Sequence, residues 1–561
     1  MALLNAHRKL QRLFLVAAIF LITFFFLVPT EYFPQRAKWQ EWKYTPTSFD
    51  WGKRPFTNPI DESSMTPLPT GIPRQLPRIQ HEFIHEELSR SHNKTQRARR
   101  DAVRKAAKKS WKAYRDHAWG RDEVAPQQLI GKDTFAGWGA TLVDSLDTLW
   151  IMDMKKDFMD ALRHVATIDW SNSTSQYCSL FETNIRYLGG LLSAYDLSQE
   201  QMLLNKAIEL GSTNEGTAAV GSLSLEFSRL SQLTGNPKYY HAIDNIKKAL
   251  ARTQDSTNLP GMWPIFVDLQ NNFFTSGTSF SLGASADSAY EYLSKMHILL
   301  GGLDPTYQKL HTKAMATAQN HLLFRPMLPL SSPSSPTPDI LFSGTALSNG
   351  QIIELLPEVQ HLGCFAGGMF ALGGRLFHNA EHVTVGERLA RGCAWAYAAF
   401  STGVMPEVSE IIPCQKDANR AKIDDGLGVL CAWNETQWLE GTGKHPRPFS
   451  MVRNPEYLLR PEAIESLFVL YRVTGKTDLL DAAWEMFESV RAATETRFAF
   501  SAISDVQAKG YTVKMDAMES FWIAETLKYF YLIFSEPDLI SLDDYVFNTE
   551  AHPLKIPKPG I

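Results

Sequence analysis

Hydrophobic residues recur at helical spacing along most of the chain, from about residue 86 to residue 553. Because residues three and four apart share one helix face, this pattern predicts many amphipathic α-helices. Two stretches, 225–250 and 464–491, share one layout: a helix ends in Thr-Gly, and a short turn leads to a second helix. Glycine suits the left-handed cap that ends the first helix. A weaker version covers 188–210. Repeated helical hairpins without a polar capping repeat predict a closed all-α barrel rather than an open solenoid.

An uncharged apolar run at the amino terminus, residues 13–28, follows a short basic segment. We predict a cytosolic tail at 1–12, a transmembrane anchor at 13–28 and a lumenal remainder, since basic residues stay on the cytosolic side. Sixteen residues span only ~24 Å as a helix, which suits a thin early-secretory membrane. A cleaved signal peptide is the alternative, although residues 28–30 offer no small-x-small cleavage site.

Nine prolines between residues 29 and 85 predict an extended stem, because proline lacks the amide hydrogen that regular structure needs. The rest, 86–561, is expected to form one large domain, and 44% hydrophobic residues suffice for its core. Three sequons, at Asn93, Asn172 and Asn434, and five cysteines are typical of an oxidising lumenal compartment. A net charge of −4 with mixed signs speaks against a nucleic-acid partner.

Carboxylates inside otherwise apolar helical runs are the feature that suggests chemistry. Asp287 and Glu291 are four residues apart, and Glu462 and Glu465 are three apart, so each pair shares a helix face. Burying such a pair is costly unless a cation, hydrogen bonds or a raised pKa relieves the repulsion. Any one of them could instead cap a helix or pair with an arginine. The set together predicts one acidic cavity, used for glycoside hydrolysis or for binding a hard cation.

Several short strings then point to a family. They are AWGRDE (118–123), GWGATLVDSLDTL (137–149), FETNIRYLGG (181–190), ADS (286–288), HLGCF (361–365), LRPE (459–462), ESF (519–521) and FNTEAHP (547–553). With these strings in the family's order, the chain from about residue 118 to 553 resembles the class I α-1,2-mannosidases of glycoside hydrolase family 47.

The resemblance implies a fold and a metal. The expected fold is an (α/α)7 barrel, plugged at one end by a C-terminal β-hairpin. Thr549 on that hairpin would bind Ca²⁺ through its hydroxyl and carbonyl, and waters would complete the coordination. Glu465, Glu519 and Glu550 would hold those waters. Calcium accepts many oxygen ligands, so such a wet site is physically reasonable.

Roles for the cavity residues also follow from the resemblance. Glu462 matches the general base, and Glu182 or Asp287 matches the general acid, a choice that the sequence leaves open. Asp144 and Asp147 are interpreted as capping and packing residues. Cys364 and Cys393 match the family's disulfide, which leaves Cys414 and Cys431 as candidates for a second bridge. Substrate-binding positions are matched by Arg186, Glu226, Glu291, His361, Glu407, Arg460 and Phe521.

One departure from the family pattern lies between Gly211 and Gly221, where this chain has only residues 212–220. Family members carry a longer segment there, with an acidic pocket residue at the position of Ala219. Either the gene was misjoined at this point or one wall of the pocket is missing. At Ser285, two residues before Asp287, members with different branch preferences differ, so the sequence does not indicate which mannose is removed first.

We therefore predict an inverting exo-glycosidase that removes α-1,2-linked mannose from high-mannose N-glycans. It would be a calcium-dependent, monomeric, single-pass type II membrane protein of the endoplasmic reticulum or Golgi. The alternative is a calcium-dependent mannose-binding quality-control factor with little or no turnover, which the short segment and Ala219 favour. A purely structural α-solenoid is disfavoured by the clustered acids.

Overall fold

The structure is a computed structural model that describes residues 43–48, 62–83, 90–176, 178–213, 221–267, 274–329, 338–414, 433–441 and 443–558. Residues 46–561 form one compact unit, separate from residues 1–45. The predicted tail and anchor, 1–28, lie outside the described residues. In the part of the chain that is described, no helix has the length and apolar character needed to cross a membrane.

Most of the described chain is helical. Its principal helices are α1 (Arg90–His117), α2 (Leu146–Ile151), α3 (Lys155–Val165), α4 (Gly189–Ser198), α5 (Gln201–Thr213), α6 (Ser224–Thr234), α7 (Pro237–Thr253), α8 (Asp287–Leu299), α9 (Pro305–His321), α10 (Ala366–Leu376), α11 (Ala380–Ala399), α12 (Glu462–Thr474), α13 (Asp478–Thr494) and α14 (Leu527–Ile533). Shorter helical pieces are Glu62–Ser64, Ala140–Asp144, Leu180–Glu182, Leu362–Phe365 and Glu435–Glu440. Two segments are π-helical: Thr183–Leu188 before α4, and Trp522–Thr526 before α14.

These helices pack as pairs. Contacts join α2 to α3, α4 to α5, α6 to α7, α8 to α9, α10 to α11, α12 to α13, and α14 to α1. One helix of each pair also contacts the next pair, in the order α2, α4, α6, α8, α10, α12, α14. The segment Trp522–Thr526 packs on α2, so the last pair meets the first.

The sequence explains which helix of a pair lies inside. Every residue of α14 is buried, and nearly all of α12 is buried, as expected for helices whose residues are mostly apolar around the whole circumference. Their partners bury one face only; α13 buries eight of its seventeen residues and leaves charged positions outside. The ring of inner helices therefore forms the core, and the outer helices cover it.

The predicted helical hairpins are confirmed at their turns. Gly235, with φ of 70°, caps the C-terminal end of α6, and Gly475, with φ of 73°, caps that of α12. Both glycines adopt the left-handed conformation that closes a helix without a Cβ clash. After Gly235, the Asn236 side chain accepts a hydrogen bond from the Lys238 amide and starts α7.

Strands are short and lie in the connections between helices. They are β1 (Glu123–Ala125), β2 (Ile130–Lys132), β3 (Ser279–Phe280), β4 (Leu323–Phe324), β5 (Phe342–Ser343), β6 (Thr345–Ser348), β7 (Ile353–Leu356), β8 (Glu358–Gln360), β9 (Val408–Ile411), β10 (Phe449–Asn454), β11 (Tyr545–Phe547) and β12 (Pro553–Lys555). They pair antiparallel as β1-β2, β3-β6-β7, β4-β5, β8-β9-β10 and β11-β12.

The C-terminal hairpin β11-β12 packs against the inner helices α4 and α8. Its five-residue loop follows the pairing of Phe547 with Pro553. At the base of the loop, the buried His552 ring contacts Asp147 at 2.8 Å and Asp144 at 3.0 Å. Burial alone would lower the pKa of His552, but the two carboxylates raise it to about 9. Asp144 and Asp147 therefore hold the hairpin in place, in agreement with the predicted packing role.

Cys364 and Cys393 form the predicted disulfide, which joins the start of the α10 region to α11. Cys178 is a free, exposed thiol. Cys414 is disulfide-bonded, but Cys431 lies outside the described residues, so its pairing with Cys414 stays a prediction. Ala219, the position of the family's acidic pocket residue, also lies outside the described residues.

Candidate active site

One cavity of about 600 Å³ opens among the inner helices and holds most of the predicted chemical groups. Three carboxylates reach it from three separate helical pairs: Glu182 before α4, Asp287 at the start of α8 and Glu462 at the start of α12. The hairpin loop adds Thr549 to the same cavity. The predicted convergence of these distant residues is therefore found in the structure.

Two of the carboxylates begin their helices, which explains part of their placement. Asp287 and Glu462 are the first residues of α8 and α12. Unpaired amide groups and the positive end of the helix dipole favour negative charge at this position. The other wall uses the π-helical segments, which carry Arg186 and Glu525 into the cavity. Such segments occur often at functional sites.

Arg186 links the acid groups on that wall. Its guanidinium contacts Glu182 Oε2 at 2.6 Å and Glu550 Oε1 at 2.9 Å. It also lies 5.7 Å from the ring of Phe521. Burial alone would lower the pKa of Arg186, but the surrounding carboxylates raise it well above its usual value. Arg186 is therefore a fixed cation that keeps Glu182 in place.

Glu462 is held by His361 from behind. His361 Nδ1 lies 2.8 Å from Glu462 Oε2, and His361 Nε2 lies 2.7 Å from the Tyr397 hydroxyl. Burial alone would raise the pKa of Glu462, but the His361 hydrogen bond and the Arg460 charge lower it overall. Glu462 is therefore ionised at neutral pH, as a base must be.

Asp287 has the opposite surroundings. Burial raises its pKa to about 7, helped by repulsion from Glu291 and Glu462 and opposed by the Ser288 amide. A carboxyl group with this pKa is partly protonated at neutral pH, so it can donate a proton. The two carboxyl groups thus differ as an acid and a base must.

Arg460 stands beside Glu462 on the same wall. Its Nε donates to Glu407 Oε2 at 2.5 Å, and the Leu458 amide donates to Glu407 Oε1 at 3.0 Å. The Arg460 guanidinium lies 5.6 Å from the ring of Phe521. Glu407 therefore fixes the arginine, and Phe521 lies between the two cavity arginines.

Two buried acids, Glu525 and Glu550, line the cavity together with Thr549, and a third acid, Glu465, is buried outside this lining. Burial raises the pKa of each, and that of Glu550 to about 8. Within the described part of the chain, no three His, Cys, Asp or Glu side chains stand close enough to ligate one ion directly. A site with Thr549 as its protein ligand does not require such a group. Hydroxyl and carboxyl oxygens suit a hard cation, so the residues present fit the predicted calcium ion.

Four predicted substrate-binding residues lie behind the cavity wall rather than on it. His361 and Glu407 contact the wall residues Glu462 and Arg460. Glu291 forms a buried ion pair with Lys295. Glu226 is fully buried on α6. Sequence matching does not distinguish a residue that contacts the sugar from a residue that holds such a contact residue in place, because both belong to the matched family positions.

Two features of the cavity had no predicted role. Glu525 lines the cavity, although the matched family string at 519–521 does not reach it. Glu519 itself is half-buried, and burial raises its pKa. The wall around Trp263 and Phe266 is apolar, and Phe266 is 78% exposed. This loop carries no distinctive motif, so only the structure brings it to the cavity.

The sequence profile described as glycosyl hydrolase family 47 matches residues 106–213 and 212–556. The chain belongs to glycosyl hydrolase family 47. The matched residues include every residue that lines the cavity. This family-47 chain is therefore a glycoside hydrolase, as the resemblance predicted.

Relatives agree with this family assignment. A mannosyl-oligosaccharide α-1,2-mannosidase from Coccidioides posadasii is 33% identical over 82% of this chain and 91% of its own length. The human endoplasmic reticulum mannosyl-oligosaccharide 1,2-α-mannosidase is 34% identical over 80% of this chain, which spans 63% of the human protein. The structure of an α-1,2-mannosidase from Trichoderma reesei aligns with a TM-score of 0.69 and 29% identity, covering 82% of this chain and 99% of that one.

The family match of this glycoside hydrolase falls into two parts that meet at residues 212–213. That point coincides with the short segment 212–220 singled out in the sequence. Residues 214–220 lie outside the described structure. Helix α6, which follows them, is present and packs on α4, α7 and α8.

Proposed function

We propose that this family-47 hydrolase removes terminal α-1,2-linked mannose from high-mannose N-glycans. The observation that carries the proposal is one cavity in which three carboxyl groups from separate helical pairs face two arginines and Thr549. The names of the relatives agree with this substrate. They are all mannosidases, and nothing among them favours the alternative of a mannose-binding quality-control factor.

The two carboxyl groups with opposed pKa values supply the reaction. Ionised Glu462 takes a proton from a water molecule, whose oxygen then bonds to the anomeric carbon. Asp287, or Glu182 in its place, gives a proton to the glycosidic oxygen as the bond between this oxygen and the anomeric carbon breaks. Attack from the face opposite the leaving group inverts the anomeric carbon and releases β-mannose.

The raised pKa of Asp287 favours it as the acid. Glu182 instead forms an ion pair with Arg186, whose Nε lies 2.6 Å from Glu182 Oε2. Arg186, Arg460 and Phe521 would contact the sugar, since guanidinium groups donate to hydroxyls and an aromatic face packs on sugar carbons. Both arginines are already fixed by carboxylates, so little freedom is lost on binding.

Family-47 mannosidases depend on a metal, and we propose Ca²⁺ for this chain. Thr549 would hold it, and the predicted acids Glu465, Glu519 and Glu550 would hold waters around it. Glu525, which lines the cavity, would be a further member of this set. When bound, such an ion orients the sugar through its hydroxyl oxygens.

The ring of paired helices supports an (α/α)7 barrel plugged by β11-β12. We further propose that residues 13–28 anchor a monomer in the membrane of the endoplasmic reticulum or Golgi as a single-pass type II protein. The apolar run at 13–28 and the three sequons support this placement.

The proposal is tested by incubating the full chain with a high-mannose oligosaccharide and measuring free mannose. We expect release in the presence of calcium and none after chelation, with β-mannose appearing first by proton NMR. Glu462→Gln should lower turnover roughly 10²- to 10⁴-fold while the protein stays folded. Exposed Glu440→Gln is the matched control and should leave turnover unchanged.

Glycan binding without any mannose release by the wild-type chain would contradict the enzyme and support the binding factor. Normal release by Glu462→Gln would contradict its role as the base.

A further inference from the structure

Glu226 is buried directly beneath the loop that carries Thr549. Its side chain has no exposed surface, and its Oε1 atom accepts two hydrogen bonds. The Tyr292 hydroxyl donates to Oε1 at 2.8 Å, and Asn548 Nδ2 donates to it at 2.7 Å. One carboxylate oxygen on α6 therefore connects α8 with the C-terminal hairpin.

Tyr292 passes this connection on to Thr549. Its hydroxyl gives its one hydrogen to Glu226, and its oxygen accepts the amide hydrogen of Thr549 at 3.2 Å. The donors and acceptors of the two hydrogen bonds are therefore fixed: the Thr549 amide donates to Tyr292, and the Tyr292 hydroxyl donates to the Glu226 carboxylate. A phenylalanine at 292 would fill nearly the same space but would break both bonds.

Asn548 provides the second connection. While its amide nitrogen binds Glu226, its Oδ1 atom accepts the amides of Glu550 at 3.0 Å and His552 at 2.8 Å. The side chain of Asn548 thus closes the loop on both sides of Thr549. Glu226 therefore fixes Thr549 in two ways. Tyr292 holds the Thr549 amide, and Asn548, the residue before Thr549, holds the loop around it.

A purely structural reading does not account for this arrangement well. Burying a carboxylate costs free energy, and apolar residues of similar volume often stabilise a core as well or better. Both groups that donate to Glu226 Oε1, Tyr292 and Asn548, also accept amide hydrogens of the loop that carries Thr549. Such contacts are expected where the position of a loop must be held to within about 0.5 Å.

We propose that Glu226 and Tyr292 are positioning residues for the cation site at Thr549, and that they set its affinity for Ca²⁺ without touching substrate. This inference rests on the proposed function, because it takes Thr549 as the ligand of the ion. Outer groups of this kind typically change metal affinity 10- to 100-fold when they are removed.

Tyr292→Phe in the full chain is the primary test. We expect Ca²⁺ binding, measured by isothermal titration, to weaken roughly 10- to 100-fold. The rise in Tm that calcium produces should shrink by a matching amount at a fixed calcium concentration. Mannose release should recover toward the wild-type kcat when calcium is raised to saturation, because the catalytic carboxylates are untouched.

Tyr307→Phe is the matched control. Tyr307 is another buried tyrosine, on the outer helix α9, and its hydroxyl has no hydrogen-bond partner among the described residues. It should keep the wild-type affinity for Ca²⁺. Glu226→Gln is the second variant; it keeps the shape of the side chain, loses its charge, and should also weaken Ca²⁺ binding.

Three results would overturn the inference. If Tyr292→Phe binds Ca²⁺ with wild-type affinity, the positioning role is wrong, although the metal site at Thr549 still stands. If Tyr292→Phe does not fold, the same conclusion follows from wild-type Ca²⁺ affinity in Glu226→Gln. Activity losses in the variants that saturating calcium does not restore would show a purely structural role. If the wild-type chain binds no Ca²⁺, the proposed metal site fails first, and the inference fails with it.

Discussion

Glu462 and Asp287 take opposite protonation states in one cavity because their neighbours differ. His361 and Arg460 lower the pKa of Glu462 against the effect of burial, whereas burial raises that of Asp287 to about 7. An acid and a base that are both ready at neutral pH follow from these surroundings alone. Two predictions belong to this scale.

The first prediction concerns the acid. The acid must be protonated, so kcat/KM should fall about tenfold per pH unit above the Asp287 pKa of about 7. Asp287→Asn should lower kcat/KM on glycans roughly 10²- to 10⁴-fold. It should lower kcat/KM on α-mannosyl fluoride much less, because fluoride leaves without a proton. The measurements are the pH profile and the two substrates, with Glu182→Gln tested alongside.

If Glu182→Gln is the variant that α-mannosyl fluoride rescues, and Asp287→Asn is not rescued, then Glu182 is the acid.

The second prediction concerns His361. Removing its hydrogen bond in His361→Leu should raise the pKa of Glu462, since that bond lowers it. The base must be ionised, so the acidic limb of the pH profile should move to higher pH. Loss of positioning should also reduce kcat/KM at neutral pH roughly a hundredfold.

His382→Leu, a buried histidine at the start of α11, is its control and should leave the profile unchanged. An acidic limb that stays in place in His361→Leu would contradict the prediction.

At the scale of elements, the C-terminal hairpin packs closely against the start of α4, where Gly189 leaves room for it. A Cβ atom at Gly189 would lie 2.6 Å from Asn548 Nδ2 and 2.9 Å from the His552 ring. The buried Lys528, His552, Asp144 and Asp147 then fix the hairpin from the other side. Close backbone approach and buried charge together hold the loop of Thr549.

The third prediction tests that approach. Gly189→Ala should lower the free energy of unfolding by about 1–3 kcal/mol, the usual cost of overpacking, although alanine favours helix more than glycine. Chemical denaturation is the measurement. Gly363→Ala is the control, because its added Cβ would lie 4.0 Å from its nearest neighbour, the Cα atom of Gly283.

Equal stability of Gly189→Ala and the wild-type chain would show that the hairpin shifts without cost.

At the scale of the whole molecule, the proline-rich segment at 62–83 is packed along the helical domain. The Ile79 amide donates to Asp543 Oδ1 at 2.7 Å, and Ile79 itself is buried. Gln80 accepts from the buried Arg472 at 3.0 Å and donates to the Pro537 carbonyl at 3.1 Å. This part of the predicted stem therefore stabilises the domain.

The fourth prediction follows from these contacts. A chain that begins at residue 84 should unfold at lower temperature than one that begins at residue 62, because Arg472 loses a partner and apolar surface is uncovered. The expected loss is about 1–3 kcal/mol. Thermal unfolding of the two chains is the measurement, and identical Tm values would contradict it.

Periodicity and motifs predicted much of this protein. Helical spacing and the Thr-Gly stops at Gly235 and Gly475 indicated the hairpins, because both signals are local. The family strings supplied Glu182, Asp287, Glu462 and Thr549, all of which the cavity contains. Local chemistry and short motifs are the information that a linear sequence carries directly.

The division of roles was decided only by the tertiary structure. His361, Glu407, Glu226 and Glu291 carry the same motif signal as the wall residues, yet they lie behind the wall. Whether a carboxylate is an acid, a base or a support depends on burial and on neighbours hundreds of residues away, such as Thr549 above Glu226. The sequence thus determined which groups are available, and packing determined which of them reach the cavity, because burial and charge interactions act through space rather than along the chain.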